Sequence, residues 1–265
     1  MPFDIMVHYP MMQRITNFAL LLEHFMTIFL VGGEKGGPGK TTIATNLAAM
    51  RAIAKRDVLL IDVDTQGHAS MWNEVRTEDA GLAVLSCITL RGRAIDVEIR
   101  KQAERYDDVI IDAGGRDTPE LRQAMLAADL MVVPTRASQV DLQGIAMIDR
   151  LVGDVLAFNA KLQALVVINA APTNAKSPDV DDARAIVHEM RHLALAESVV
   201  CDRVSFRRAY RDGQAVVEYQ PVDDRARHEM RLLYAEVFGW MTRTQAKPPL
   251  SRQAVLPLPT RKVAP

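Results

Sequence analysis

The chain has 265 residues, 49% of them hydrophobic and 25% charged, with a net charge of −1. That length and apolar content suit one sizeable core, and the near-zero charge excludes overall attraction to nucleic acid, so any basic surface must be local. Its two cysteines, Cys87 and Cys201, form no CxxC pair and fit packed, unpaired thiols in a reducing cytoplasm.

Residues 1 to 25 form an N-terminal extension containing the apolar stretch ITNFALLLEHFM. A secretion signal is disfavoured because Arg14 is the only basic lead, Glu23 and His24 interrupt the stretch, and no small-residue cleavage site follows. The stretch is also shorter than the roughly 20 apolar residues of a membrane span. Ile15, Phe18, Leu22 and Phe25 recur at helical spacing, which allows a short helix against the domain; Met26, directly before the first strand, offers a start codon instead. Either way, residues 1 to 25 are expected to be dispensable for the chemistry.

From residue 27 the sequence TIFLVGGEKGGPGKTTIATN runs from an apolar strand through glycines into a helix opened by Lys40, Thr41 and Thr42. Gly36, Gly37 and Gly39 let the backbone aim N–H groups at an anion over the helix N-terminus. Lys40 adds a positive charge, and the Thr41 hydroxyl stands where such loops ligate the magnesium bridging the outer phosphates. The pattern GxxxxGK[ST] is not met, since Glu34 occupies the place of its first glycine; a second lysine, Lys35, precedes the glycines instead.

KGGPGKT resembles the deviant Walker A motif of the ParA/MinD family of dimeric ATPases. The resemblance implies ATP and Mg2+ as cofactors and a nucleotide cradle of Gly36, Gly37, Pro38, Gly39, Lys40, Thr41 and Thr42. It also implies two lysine roles: Lys40 holds the phosphates of its own nucleotide, and Lys35 crosses an ATP-dependent homodimer interface to those of the partner subunit.

The helix TTIATNLAAMRAIA should end near Arg56 and Asp57, and VLLID at 58 to 62 reads as a strand buried on both faces. Asp62 and Asp64 then emerge at its carboxyl end, where ligands bind in open α/β sheets. The segment is similar to the family's DxDPQG stretch, with Thr65 replacing the proline. The resemblance implies that Asp64 orients or activates the attacking water and that Asp62 supports the magnesium shell.

Residues 76 to 105 offer a strand, AVLSCI, and a charged helix, DVEIRKQAERY, which read as scaffold. DVIID at 108 to 112 delivers Asp112 beside AGGRDT, as a magnesium-holding Walker B strand does, the glycines admitting the γ-phosphate. Arg116 and Asp117 stand in the same loop, as a surface ion pair or as a sensor of nucleotide state. LMVVP at 130 to 134 is another buried strand, and TRASQVDLQG after it resembles the family's PxxPSxxDxxG stretch; Asp141 is expected to cap a long helix through about Phe158. ALVVIN at 164 to 169 ends in Asn169, where relatives contact adenine, although asparagine is also an ordinary turn former.

Strands alternating with helices over 27 to 200 predict an α/β P-loop NTPase: a mostly parallel, twisted sheet with helices on both faces. Beyond it, DRVSFRRAYRDG resembles the partition ATPases' arginine segment. Arg203, Arg207, Arg208 and Arg211 recur at spacings of three and four, against Asp202 and Asp212. This helix is a candidate for sequence-independent contact with DNA phosphates; a solvated face is the alternative. A last helix covers about 223 to 241, the ATPase domain spans 26 to 243, and 244 to 265 reads as a disordered, proline-rich basic tail.

The prolines of that tail forbid the C-terminal amphipathic helix by which MinD-like proteins bind membranes, so no membrane is expected as a partner. No cysteine near Asp112 could hold the cluster of nitrogenase-type iron proteins. The resemblance, over about residues 26 to 241, therefore favours small ParA-like partition ATPases. It implies a cytoplasmic, nucleoid-associated dimer that binds DNA non-specifically and hydrolyses ATP when stimulated by a ParB-like centromere-binding protein. A MinD-like positioning ATPase for a non-DNA cargo is the alternative.

Overall fold

The structure is a computed structural model describing residues 27 to 245, apart from 34–36, 38, 116, 138 and 174–177. The N-terminal extension, the tail beyond 245, Lys35, Gly36, Pro38 and Arg116 lie outside the described residues.

Seven strands, β1 (Thr27–Val31), β2 (Val58–Asp62), β3 (Ser86–Thr89), β4 (Asp108–Asp112), β5 (Leu130–Thr135), β6 (Gln163–Ala171) and β7 (Ala194–Cys201), form one sheet in the order β3-β2-β4-β1-β5-β6-β7. Every pairing is parallel. Because successive side chains alternate between sheet faces, the continuous apolar runs feed two cores at once. Phe29, Leu60, Ile110 and Val132 face one layer with α1 (Lys40–Ile53), α2 (His68–Glu78), α7 (Val204–Arg211) and α8 (Asp224–Gln245). Leu30, Ile61, Ile111 and Val133 face the other, with α3 (Ile95–Ala103), α4 (Pro119–Ala127) and α5 (Gln139–Val155). A smaller cluster seats α6 (Pro178–His188) on the end of β6. Among the described residues no helix is long and apolar enough to cross a membrane.

Register brings the chemistry together. Asp112 is the neighbour of Val31 on one side and of Asp62 on the other, so the phosphate loop and both strand-end carboxylates leave the sheet at one level. The opposite end of α1 is locked by the buried Arg51, which pairs with Asp108 at 2.6 Å and lies 4.4 Å over the Phe238 ring.

Three expectations are corrected. The helix after β5 begins at Gln139, so Asp141 lies in its first turn rather than at the cap, and it ends at Val155 rather than Phe158. The strand expected from AVLSCI is confined to Ser86–Thr89. The last helix continues to Gln245, past the boundary expected for the tail.

One glycine fixes how α7 sits on α2. Gly213 has φ +65°, and a Cβ there would lie 2.4 Å from the Arg76 backbone nitrogen. The Arg76 guanidinium also donates to the Gly213 carbonyl at 3.0 Å and to both Glu218 carboxylate oxygens at 2.8 and 2.9 Å. Gly213→Ala should therefore cost about 2 kcal/mol or more through backbone strain and overlap. Thermal melting should fall by roughly 4–8 °C. Gly67→Ala is the control, because Gly67 has φ +69° but nothing within 4 Å of an added Cβ. It should lower the melting temperature by less than half as much.

Candidate nucleotide site

A cavity of about 720 Å³ opens at the carboxyl ends of β1, β2 and β4, lined by Gly37, Gly39, Lys40, Thr41, Thr42, Asp64, Gln66, His68, Gly114 and Thr118, among others. It gathers residues from the phosphate loop, from the DVDTQG turn and from the AGGRDT loop. Gly39, at φ +83°, stands at the N-cap of α1, a left-handed conformation that L side chains adopt at a cost. Its amide neighbours open a helix N-terminus with no acidic residue in the first turn, the polarity that suits an anion. Burial lowers the pKa of Lys40, opposed by the charges of Asp112 and Asp64, so a phosphate placed beside it would favour the ammonium form.

Asp112 is 1% exposed and accepts a 2.7 Å hydrogen bond from the Thr41 hydroxyl through Oδ2. Its other oxygen, Oδ1, is buried without a partner. Desolvation pushes its pKa up to about 8; the Thr41 hydrogen bond opposes this, and the Asp62 and Asp64 charges add to it. An orphaned carboxylate oxygen beside a hydroxyl is what a hydrated divalent cation would satisfy, so these two residues fit magnesium. Among the described residues no group of three or more His, Cys, Asp or Glu could hold a metal by itself.

The magnesium-shell role expected of Asp62 meets a competing use. Its Oδ1 accepts the Asp64 N–H at 3.0 Å, and its Oδ2 accepts the Ser70 N–H at 2.9 Å and the Ser70 hydroxyl at 3.1 Å. This fully buried carboxylate therefore organises the turn that carries Asp64 and the start of α2. Asp64 is half-buried, and its Oδ1 accepts the Gln66 N–H at 3.0 Å. A Cβ on Gly114 would lie 3.2 Å from the Asp64 carboxyl, so any side chain at 114 would crowd it.

Asn169 is 5% exposed and packs against the loop: a Cβ on Gly39 would lie 2.3 Å from its Nδ2. The strand runs two residues past it, to Ala171, so it is not the turn residue that the alternative reading allowed. It lines a second cavity of about 170 Å³ together with Gly37, Gly39, Thr42, Arg136, Cys201 and Phe206. The Arg136 guanidinium, not singled out in the sequence, donates to the Gly37 carbonyl at 3.1 Å. Cys87 and Cys201 are free thiols, and burial raises both pKa values, that of Cys87 to about 12.

The arginine helix is α7, although Arg203 precedes its first turn. Arg203 turns inward onto Glu229 of α8, with side chains 13% and 14% exposed, and so adds no free positive charge to the surface. Arg207, Arg208 and Arg211 are exposed; Arg207 pairs with Asp202 and Arg211 with Asp212, both at 2.7 Å. Asp117 pairs with Arg122 of α4 at 2.6 Å, while the reading of Arg116 with Asp117 rests on a residue outside the described ones.

Contacts from outside the recognised motifs also hold the site. The Tyr210 hydroxyl of α7 donates to the His68 carbonyl at 2.8 Å, at the rim of the larger cavity. Arg91, in the loop after β3, reaches the turn between Asp62 and Asp64. A helical arginine pattern announces α7, but no local pattern announces that its tyrosine meets α2 or that a loop arginine grips a turn 27 residues earlier.

Residues 29–216 match the model of the CobQ/CobB/MinD/ParA nucleotide binding domain. The chain is 39% identical over 109 residues to maintenance of carboxysome distribution protein A of Gloeobacter kilaueensis, covering 41% of this chain and 48% of that protein. It is 30% identical over 165 residues to the chromosome-partitioning ATPase Soj of Thermus thermophilus, covering 52% of this chain and 66% of Soj. The matched stretches thus span about half to two thirds of these relatives. In fold, it resembles the septum site-determining protein MinD of Pyrococcus horikoshii in complex with Mg-ADP. The TM-score is 0.64 at 20% identity, covering 84% of this chain and all of that one. With a parallel sheet and a family model that matches more than half its length, the chain belongs to the family of CobQ, CobB, MinD and ParA nucleotide-binding domains.

Proposed function

We propose that the chain is a ParA-like partition ATPase. It closes into a homodimer around ATP and magnesium, binds DNA without sequence preference while closed, and hydrolyses ATP when a ParB-like centromere-binding protein stimulates it. Its cargo is a plasmid or chromosome region and its place the cytoplasm, on the nucleoid. The carrying observation is that α7 lies across both cavities. Arg203 and Arg207 line the smaller one beside Asn169, and Tyr210 reaches the rim of the larger one at His68. A nucleotide filling both would touch the two ends of the helix proposed to meet DNA, which supports coupling between nucleotide state and DNA binding.

In this reading Gly36, Gly37, Pro38, Gly39, Lys40, Thr41 and Thr42 cradle the phosphates, and Asn169 takes the adenine end. Thr41 and Asp112 would hold the magnesium, which would neutralise charge developing on the transferred phosphoryl group. Asp62 shapes the turn, and Asp64 orients the attacking water. Lys35 reaches the partner's phosphates, a role carried by the resemblance alone. Arg207, Arg208 and Arg211 meet the DNA backbone, with Arg203 bracing the helix through Glu229.

A second reading, a MinD-like ATPase positioning a cargo other than DNA, is favoured by one observation: three of the four arginines are paired with carboxylates, which lowers the free charge of that face. The relative named for carboxysome distribution belongs beside this reading. Two variants separate the steps. Lys35→Ala should bind ATP within about threefold of wild type yet stay monomeric in sedimentation, and should lose ATP-dependent DNA binding with the dimer. Arg207→Glu with Arg208→Glu should dimerise normally but bind DNA at least tenfold more weakly, with a salt slope shallower by about two, since two phosphate contacts are lost. Unchanged DNA affinity in the arginine variant would move the contact away from α7 and favour the second reading.

A further inference from the structure

The loop that follows β3 carries no recognised motif, yet it grips the turn on which Asp64 stands. We propose that Arg91 is a positioning residue for ATP hydrolysis: its guanidinium fixes the Asp62–Asp64 turn so that the Asp64 carboxylate meets the attacking water. The inference rests on the reading of Asp64 given above.

Three observations carry it. The first is the set of contacts. One guanidinium nitrogen donates to the Asp62 carbonyl and, at 2.9 Å, to that of Leu90; the other donates to the Asp64 carbonyl and lies 3.5 Å from Asp62 Oδ1. A rigid fork thus spans both ends of a three-residue turn, a geometry that lysine cannot copy with a single ammonium.

The second is that the fork has a fixed base. The Leu90 N–H donates to the Asp62 carbonyl at 3.1 Å, continuing the register in which Asp62 faces Thr89. Farther along, Gln123 of α4 takes the Ile95 N–H on its Oε1 at 2.8 Å and gives its Nε2 to the Gly92 carbonyl at 3.3 Å. Helix α4 itself begins next to Thr118, which lines the phosphate cavity. Arg91 therefore ties the water-orienting turn to the element that follows the Walker B loop.

The third is that Arg91 reaches the far end of the turn, at Asp64, whose other hydrogen bonds among the described residues are local. Asp64 is held by its own N–H on Asp62, by the Gly67 N–H on its carbonyl at 3.0 Å and by the Gln66 N–H on its carboxylate, all local contacts of the same turn. Backbone bonds to neighbouring strands hold the start of the turn, the Val63 N–H on the Asp112 carbonyl at 2.9 Å and the Leu90 N–H on the Asp62 carbonyl, and Ser70 holds the Asp62 carboxylate, whereas the Arg91 guanidinium reaches the Asp64 carbonyl itself from another element. Local hydrogen bonds set the shape of a turn but not its place relative to the phosphates. A displacement of about 1 Å at a reacting group costs on the order of a hundredfold in rate.

The test uses the full chain in single-turnover hydrolysis of ATP, with ATP affinity by calorimetry and thermal melting on the same samples. Arg91→Ala should hydrolyse at least about tenfold more slowly while binding ATP within about twofold of wild type. Arg91→Lys should recover part of the rate, and millimolar guanidinium should speed Arg91→Ala but not wild type. Arg93→Ala, on an exposed residue of the same loop, is the control expected at the wild-type rate. An Arg91→Ala variant at the wild-type rate, or one whose loss of rate follows an equal loss of ATP affinity or of fold, would overturn the inference. Asp64→Ala in parallel separates the two failures. If Asp64→Ala hydrolyses normally, the role of Asp64 fails and this inference falls with it; if Asp64→Ala is slow and Arg91→Ala is not, only the inference falls.

Discussion

Lys40→Ala should abolish ATP binding at micromolar concentration. The residue lies at the N-terminus of α1, its charge already disfavoured by burial and held up by Asp112 and Asp64. Such a lysine is poised for phosphate, because an incoming polyanion offsets the penalty that burial imposes. Removing it leaves the phosphates with N–H groups and no point charge from the loop beside two carboxylates, Asp64 and Asp112. Truncating one side of a desolvated charge pair costs about 2–5 kcal/mol, or roughly thirty- to several-thousand-fold in affinity. Calorimetry with ATP and magnesium reads this directly, and an affinity within threefold of wild type would contradict the placement of phosphates beside Lys40.

The second large effect is expected from Asp64→Ala, and it should fall on a different step. Asp64 faces Gly114 across the cavity, near Thr41 and Lys40 but on the side of the DVDTQG turn. A carboxylate there acts when water attacks and adds nothing to ATP binding except repulsion. ATP affinity should therefore hold or improve slightly, the ATP-bound dimer should form, and hydrolysis should fall about 10²–10⁴-fold, the range for loss of a positioned acid–base group. Phosphate release with sedimentation on one sample checks both halves. A variant that lost ATP binding together with hydrolysis would make Asp64 part of the cradle.

The junction of β1 with α1 and the strands that carry Asp62 and Asp112 were legible because their signals are local. Glycines before a lysine and a threonine, at the junction of an apolar strand and a helix, leave few structures open, and the strands of VLLID and DVIID end at Asp62 and Asp112, where the residues predict. The sheet was legible for a related reason: runs such as LMVVP lack alternation and need two covered faces. What escaped was settled by pairing across long separations. Spacing puts Arg203 among the other arginines, but Glu229, 26 residues later, decides that it points inward. Asp62 reads as a metal-shell carboxylate, yet the start of α2 takes its oxygens through Ser70. Arg91 sits in a stretch that reads as scaffold, because nothing near it in sequence signals the turn that it holds. Asp141 shows the opposite error, an acceptable cap residue two positions inside a helix that starts earlier.

ATP, and not ADP, should make this chain a DNA-binding dimer. The most direct test is equilibrium binding of the full chain to a duplex of arbitrary sequence, in ATP with magnesium and in ADP with magnesium, across a salt series. Affinity should be at least tenfold higher in ATP and indifferent to sequence, and log affinity should fall linearly with log salt with a slope that reflects several phosphate contacts. Equal affinity in the two nucleotides, or none in either, would contradict it.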